Sequence, residues 1–259
     1  MTWLSFVLIG LGVGDLVRAG TPGRRRTAAH VVTPLVILGT AGLAGVFGLV
    51  DVIVLVVASA GVAAWMELSA HTQRTARGAL LALGSLAGTL VLVLALSGWA
   101  TRPDGALTRW LGWADLPGLG TPDSARVLLL VGLALFNIAT GNVIVRLVLL
   151  AIGALRPDQL LAGEAVETLP LQPSDRLRGG RLLGPMERLV ILGLGLAGEL
   201  GAAGIVIAAK GLLRFPEIQA AGRTTSVSGN GIDDVTEYFL VGSFVSWLLA
   251  LGSLGVALL

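Results

Sequence analysis

The sequence predicts an all-α fold, a polytopic bundle of about seven transmembrane helices, and three observations carry that prediction. Hydrophobic residues make up 54% of the chain and charged residues only 13%. The mean hydropathy is +0.86. Several apolar runs reach the roughly 20 residues that a helix needs to cross a bilayer. These runs are continuously apolar rather than alternating, which argues against an outer-membrane β-barrel. The chain has no cysteine, so disulfides, thiolate catalysis and cysteine metal sites are excluded. A net charge of +2 is too small to suggest a nucleic-acid partner.

The first span, 3–17, ends at Arg18 and the cluster Arg24, Arg25 and Arg26. It has no basic leader and no small-residue cleavage site, so it reads as a retained span and not a signal peptide. Spans two and three, 31–49 and 52–68, are split by Asp51, which reads as the tip of a tight helical hairpin. A linker with His71, Arg74 and Arg77 precedes the fourth span, 79–99. The next linker holds Trp110 and Trp113 in LTRWLGWADL, a composition suited to the headgroup layer. Span five is 127–155, and a long polar linker with Arg156, Arg176, Arg178 and Arg181 follows. Span six is 186–213 and span seven 238–258, separated by a Gly/Ser/Thr-rich linker with an Asn230-Gly231 turn.

Arginine clusters follow spans one, three and five, whereas the other linkers are acidic or nearly balanced. Positive charge stays in the cytoplasm, so the pattern predicts the N-terminus outside and the C-terminus cytoplasmic. Lys210 is the only lysine among 18 basic residues. With so much Ala, Gly, Val and Leu, that bias fits a GC-rich bacterial genome and a multi-pass protein of the cytoplasmic membrane.

Polar residues inside the spans are the candidates for function. Arg188, Glu199 and Lys210 lie eleven residues apart in the run 188–215. Eleven residues at about 100° each return to within about 20° of the same direction, so a continuous helix puts all three on one face. Glu199 then sits near mid-membrane, where a carboxylate is expensive and turns toward a partner or a wet cavity. In span five, Asn142 and Arg146 share a face one turn apart. If spans five and six are antiparallel, Asn142 reaches Glu199, and Arg146 pairs with Glu199 or Glu187. A static ion pair and a functional site are equally compatible with that pattern. Lys210 and Glu237 form a salt bridge at the outer end or remain two solvated interfacial charges. Gly195, Gly198, Gly201 and Gly204 read as a packing stripe. Asp15 and Arg18 are one turn apart and suited to pairing, and Glu67 reads as interfacial.

Catalytic signatures are missing: HExxH, GxSxG and a phosphate-binding Gly-Lys loop do not occur, and His30 and His71 stand alone in linkers. Gly12-Val13-Gly14-Asp15 fits the GxGD of intramembrane aspartyl proteases. That chemistry needs a second aspartate facing the first, and Asp51 is predicted at the opposite membrane face. The sequence therefore predicts no enzyme, catalytic residue, metal or cofactor.

The string GRLLGPMERLVILGLGLAGELGAAGIVIAAKGLLRFPEI, followed by TEYFLVGSFVSWLLALG, resembles the C-terminal part of a bacterial family of uncharacterised integral membrane proteins. The matching positions are Gly184, Glu187, Arg188, Ala208, Ala209, Lys210, Arg214, Phe215, Glu237, Tyr238, Phe239 and Gly242, with Asn142 and Arg146 in the preceding span. The resemblance covers roughly 136–259 and implies the architecture without naming a reaction. The N-terminal half lacks the family's early His/Asp/Phe/Gln segment.

Two functions fit these readings. One is transport or permeation of a small solute or ion, with Glu199 as the proton or cation site and Arg146 as its counter-charge. The other is a non-enzymatic membrane subunit or scaffold whose buried charges serve assembly. The expected partners are the lipid bilayer and either another membrane protein or further copies of the chain.

Overall fold

The computed structural model describes residues 1–19, 24–114, 123–154, 180–209, 211–212 and 231–259, and among these the regular structure is all helical, with no strand. The helices are α1 (Thr2–Ala19), α2 (Arg24–Ala44), α3 (Leu49–Thr75), α4 (Ala79–Leu96), α5 (Ala106–Ala114), α6 (Ser124–Leu135), α7 (Gly141–Ala151), α8 (Gly180–Leu196), α9 (Leu200–Ala209) and α10 (Gly231–Leu258). Among the described residues, six helices are long and apolar enough to cross a membrane: 2–19, 27–44, 49–75, 79–99, 124–151 and 239–258. The chain is a helical membrane protein. It divides into two compact units, residues 1–70 with 80–140, and residues 71–79 with 141–259.

In the first unit α1 is the inner helix. From Phe6 to Val13 it is apolar all round, as a helix enclosed by neighbours must be, and Trp3, Phe6, Val7 and Leu11 are fully buried. It packs along α2 on one side and along α6 on another. The glycines of the GxGD sequence are contact points in this packing. A Cβ on Gly12 would stand 2.6 Å from Leu135 Cβ and 2.9 Å from its carbonyl oxygen, and one on Gly14 would collide with Thr33. The helix 124–151 passes through a π turn at Phe136–Thr140. There the Asn137 side-chain amide donates to the Leu133 carbonyl at 2.8 Å, a side-chain-to-backbone bond that competes with the helical ladder.

The hairpin between α2 and α3 turns earlier in the chain than the sequence suggested. Its tip is 45–48, with Gly45 at φ +74°, and Asp51 lies in the first turn of α3. His30 lies inside α2 and His71 inside α3, not in linkers.

The second unit holds the main departure. The sequence predicted one continuous span over 186–213, but α8 stops at Leu196. Gly198 takes φ +82°, its N–H bonds to the Gly195 carbonyl at 3.1 Å, and the Glu199 N–H bonds to the Leu194 carbonyl at 2.8 Å. This pair of bonds around a left-handed glycine is a Schellman termination. Glu199 then opens α9, its carbonyl accepting from the Ala203 N–H at 3.1 Å.

The direction also changes. Glu187 bonds Trp247, Arg188 bonds Ser246, and Gly195 abuts Leu254, so α8 and α10 run parallel. A single crossing between them would have made them antiparallel. The chain instead folds back at 197–199, and Ile191, Ala203 and Ala250 meet in one buried cluster. In a straight helix Ile191 and Ala203 would be about 18 Å apart. The eleven-residue register of Arg188, Glu199 and Lys210 therefore does not extend through the break. The glycine stripe dissolves with it: Gly195 packs against Leu254, Gly198 ends the helix, and a Cβ on Gly201 or Gly204 would meet open space.

Candidate functional site

The buried charge of the second unit is Arg188, only 1% exposed, with Glu187 beside it at 7%. Helix α8 aims both inward from adjacent positions. Arg188 Nη2 donates to Asn142 Oδ1 at 2.6 Å, and Nη1 donates to Ser246 Oγ at 3.0 Å. Trp247 Nε1 donates to Glu187 Oε1 at 2.7 Å. The Glu187 carboxylate also offsets the Arg188 charge electrostatically. Gly141 makes room for the guanidinium, since a Cβ there would lie 3.0 Å from Arg188 Nε and 3.1 Å from Cζ. Three helices thus converge on the adjacent side chains of Glu187 and Arg188.

Its depth follows from α10, in which Ser246 and Trp247 are central residues of 231–258. An arginine at the bilayer centre costs about 2.5–3.5 kcal/mol on the insertion scale. Charge-assisted hydrogen bonds return about 1.5–3 kcal/mol each, so two of them with an adjacent carboxylate can hold the guanidinium in place. The site can bind or relay charge, or lock three helices together.

The other sequence candidates fall elsewhere. Asn142 was expected to bond Glu199, and its bond is to Arg188 instead. Glu199 is exposed at the hairpin tip. Since Gly195 meets Leu254, that tip stands level with the C-terminal end of α10, not at mid-depth. Arg146 is half-buried on α7. Lys210 lies outside the described residues, as does the side chain of Glu237.

The first unit contains two polar ties that the sequence reading only half anticipated. The Asp15–Arg18 pair forms, at 2.7 Å. Arg18 also donates to the Met66 carbonyl at 2.7 Å and to Ser69 Oγ at 3.0 Å, and Trp65 Nε1 donates to Asp15 at 3.4 Å. Nearby, His30 Nε2 lies 2.8 Å from Glu67 Oε1, with Glu67 56% exposed. At the other end of α1, Asp51 accepts four bonds. They come from Trp3 Nε1 at 2.7 Å, Gly48 N at 2.9 Å, Thr101 N at 3.2 Å and Thr101 Oγ1 at 2.6 Å. The Gly48 bond is the N3-to-N-cap half of a capping box. A carboxylate has about four acceptor positions, and here all are used.

Each tie joins a tryptophan of one helix to an aspartate of another, Trp3 to Asp51 and Trp65 to Asp15, so α1 and α3 run parallel. Twelve residues of α1, about 18 Å, separate the two aspartates. They cannot form a catalytic dyad.

The fold and this site define a class, a helical membrane protein with an adjacent Glu and Arg buried among three helices. The chain matches no family model, no curated protein and no solved structure.

Proposed function

We propose that this chain is a multi-pass protein of the bacterial cytoplasmic membrane that moves a small solute or ion, with Glu187 and Arg188 as its charged site. The observation that carries the reading is the burial of this pair at the level of the middle of α10. Ionisable groups at such depth mark substrate, ion or proton routes. The fold-back beside it supports the same reading. Exposed backbone at 197–199 is not tolerated in contact with lipid tails, so the tip belongs in water or the headgroup layer. Discontinuous helices of this kind border many transport sites. The resemblance to the uncharacterised membrane-protein family fits too, because its positions Asn142, Gly184, Glu187 and Arg188 gather at this site.

The topology that accompanies this function has both termini outside. The arginine clusters hold the first, third and fifth linkers in the cytoplasm, α8 leaves from that face, α9 returns, and α10 leaves again.

The test is reconstitution of the purified protein into liposomes, with proton, sodium and potassium flux measured against Glu187→Gln. Flux in the wild type that falls at least tenfold in the folded variant supports the proposal. A wild type that passes none of the three, or a variant that equals it, overturns the ion reading.

The alternative is a membrane subunit whose buried pair serves assembly. It is favoured by one observation: Arg188 donates to side chains of its own chain, as a structural lock would. Purification from native membranes in mild detergent with intact-mass measurement separates the two, since a stoichiometric partner belongs to the subunit reading alone.

A further inference from the structure

Three of the six tryptophans fall within fifteen residues, and all three are exposed: Trp99 at 73%, Trp110 at 53% and Trp113 at 80%. Trp3 and Trp65, by contrast, are fully buried and hydrogen-bonded. Trp110 and Trp113 belong to α5, which turns Leu111 into the protein and leaves the tryptophans outside.

The position of α5 along the first unit is fixed by its ties. Asp104 N donates to the Ala44 carbonyl at 3.0 Å, at the C-terminal end of α2. Gly105 packs on that same backbone so closely that no Cβ fits. Thr108 Oγ1 donates to Ser124 Oγ at 2.9 Å, at the first residue of α6. The starts of α1 and α3, tied through Trp3 and Asp51, are joined by Thr101 to the same loop. So α5 lies where five helices end, and Trp99 follows the end of α4.

A short helix at the level of helix ends, apolar toward the protein and aromatic toward the outside, has one natural surrounding. Tryptophan combines a large apolar ring with one N–H donor and concentrates where acyl chains meet headgroups. Arg102 and Arg109 are exposed on the same stretch, complementary in charge to lipid phosphate. We propose that α5 with Trp99 forms an in-plane anchor embedded in the phospholipid headgroup layer, which sets the depth of the first unit in the bilayer.

The absence of cysteine makes the chain suited to spin labelling. Nitroxides at Trp99→Cys, Trp110→Cys and Trp113→Cys, in liposomes of phosphatidylcholine and phosphatidylglycerol, are compared for collision with oxygen and with a water-soluble nickel chelate. A label at Leu92→Cys marks the depth of the hydrocarbon. The anchor predicts comparable collision with both reagents at all three positions, intermediate between Leu92→Cys and free label in water. Collision dominated by nickel would show that α5 stands off the membrane, and protection from both reagents would show a protein partner or a second copy. Either result overturns the proposal. Because labelling removes a tryptophan, unlabelled protein is also tested with brominated phosphatidylcholine. The Trp110→Phe/Trp113→Phe variant should lose more than half of the lipid-quenched emission, and unchanged quenching would refute the anchor.

Discussion

The fold-back at Gly198 makes a prediction whose sign, not only size, separates it from a continuous helix. Gly198 has φ +82°, and a Cβ built there meets nothing within 4 Å. Alanine at this position therefore has no packing cost, only the backbone cost of a left-handed L-residue, about 1–2 kcal/mol. Gly201 sits inside α9, also with open space around a Cβ. Alanine there gains helix propensity worth up to about 1 kcal/mol. Gly198→Ala should thus destabilise the protein and Gly201→Ala should stabilise it, a separation of about 2–3 kcal/mol between two open glycines three residues apart. Asparagine tolerates the left-handed region better than alanine, so Gly198→Asn should fall between Gly198→Ala and wild type. The assay is unfolding by sodium dodecyl sulfate in mixed micelles, followed by far-ultraviolet circular dichroism. If Gly198→Ala stabilised as much as Gly201→Ala, residue 198 would be helical and the fold-back would be wrong.

The remaining predictions concern charges and topology. Removing Arg188 leaves Glu187 buried without its counter-charge, so Arg188→Ala should cost about 3–5 kcal/mol, and a cycle with Asn142→Ala should show coupling of about 1–2 kcal/mol in the same unfolding assay. Additive effects would exclude the Arg188–Asn142 bond. Asp51→Asn turns an amide toward four donors, leaving two unmet at about 1–2 kcal/mol each. A loss under about 1 kcal/mol, measured the same way, would mean that Asp51 is not so saturated. A reporter enzyme active only outside the cytoplasm should be active when fused after Leu259 and inactive when inserted at Gly78; an inactive C-terminal fusion would restore a single crossing between 186 and 213.

How much of this was legible in the sequence depends on which physical signal each feature leaves. The existence of the helices was legible, because a bilayer demands long uninterrupted apolar runs and the chain supplies them. The Asp15–Arg18 pair was legible as well, since i,i+3 spacing on a helix leaves little freedom. The fold-back was not, because the residues around it are as apolar as a span and hydropathy does not register direction. The local signal was there in capping chemistry: Gly198 followed by Glu199 is a helix stop and a helix start side by side. In a chain with 37 glycines that signal was absorbed into a periodic stripe.

The misplaced pairing of Asn142 has the same root. Glu199 matches its depth only along a continuous helix, and this helix breaks at Gly198; Arg188, which bonds Asn142, lies eleven residues earlier in α8. A pattern argument along one helix fails at the first residue with positive φ, and every depth assigned beyond Gly198 was lost there. The first unit shows the converse. Asp51 looked like an isolated charge in an apolar stretch, which suggested a turn and nothing more. Its four donors come from three other segments, Trp3, Gly48 and Thr101, none of them apparent from spacing. A membrane helix can carry a buried carboxylate where distant segments satisfy every lone pair, so a lone charge in such a sequence marks a convergence of chain segments before it marks chemistry.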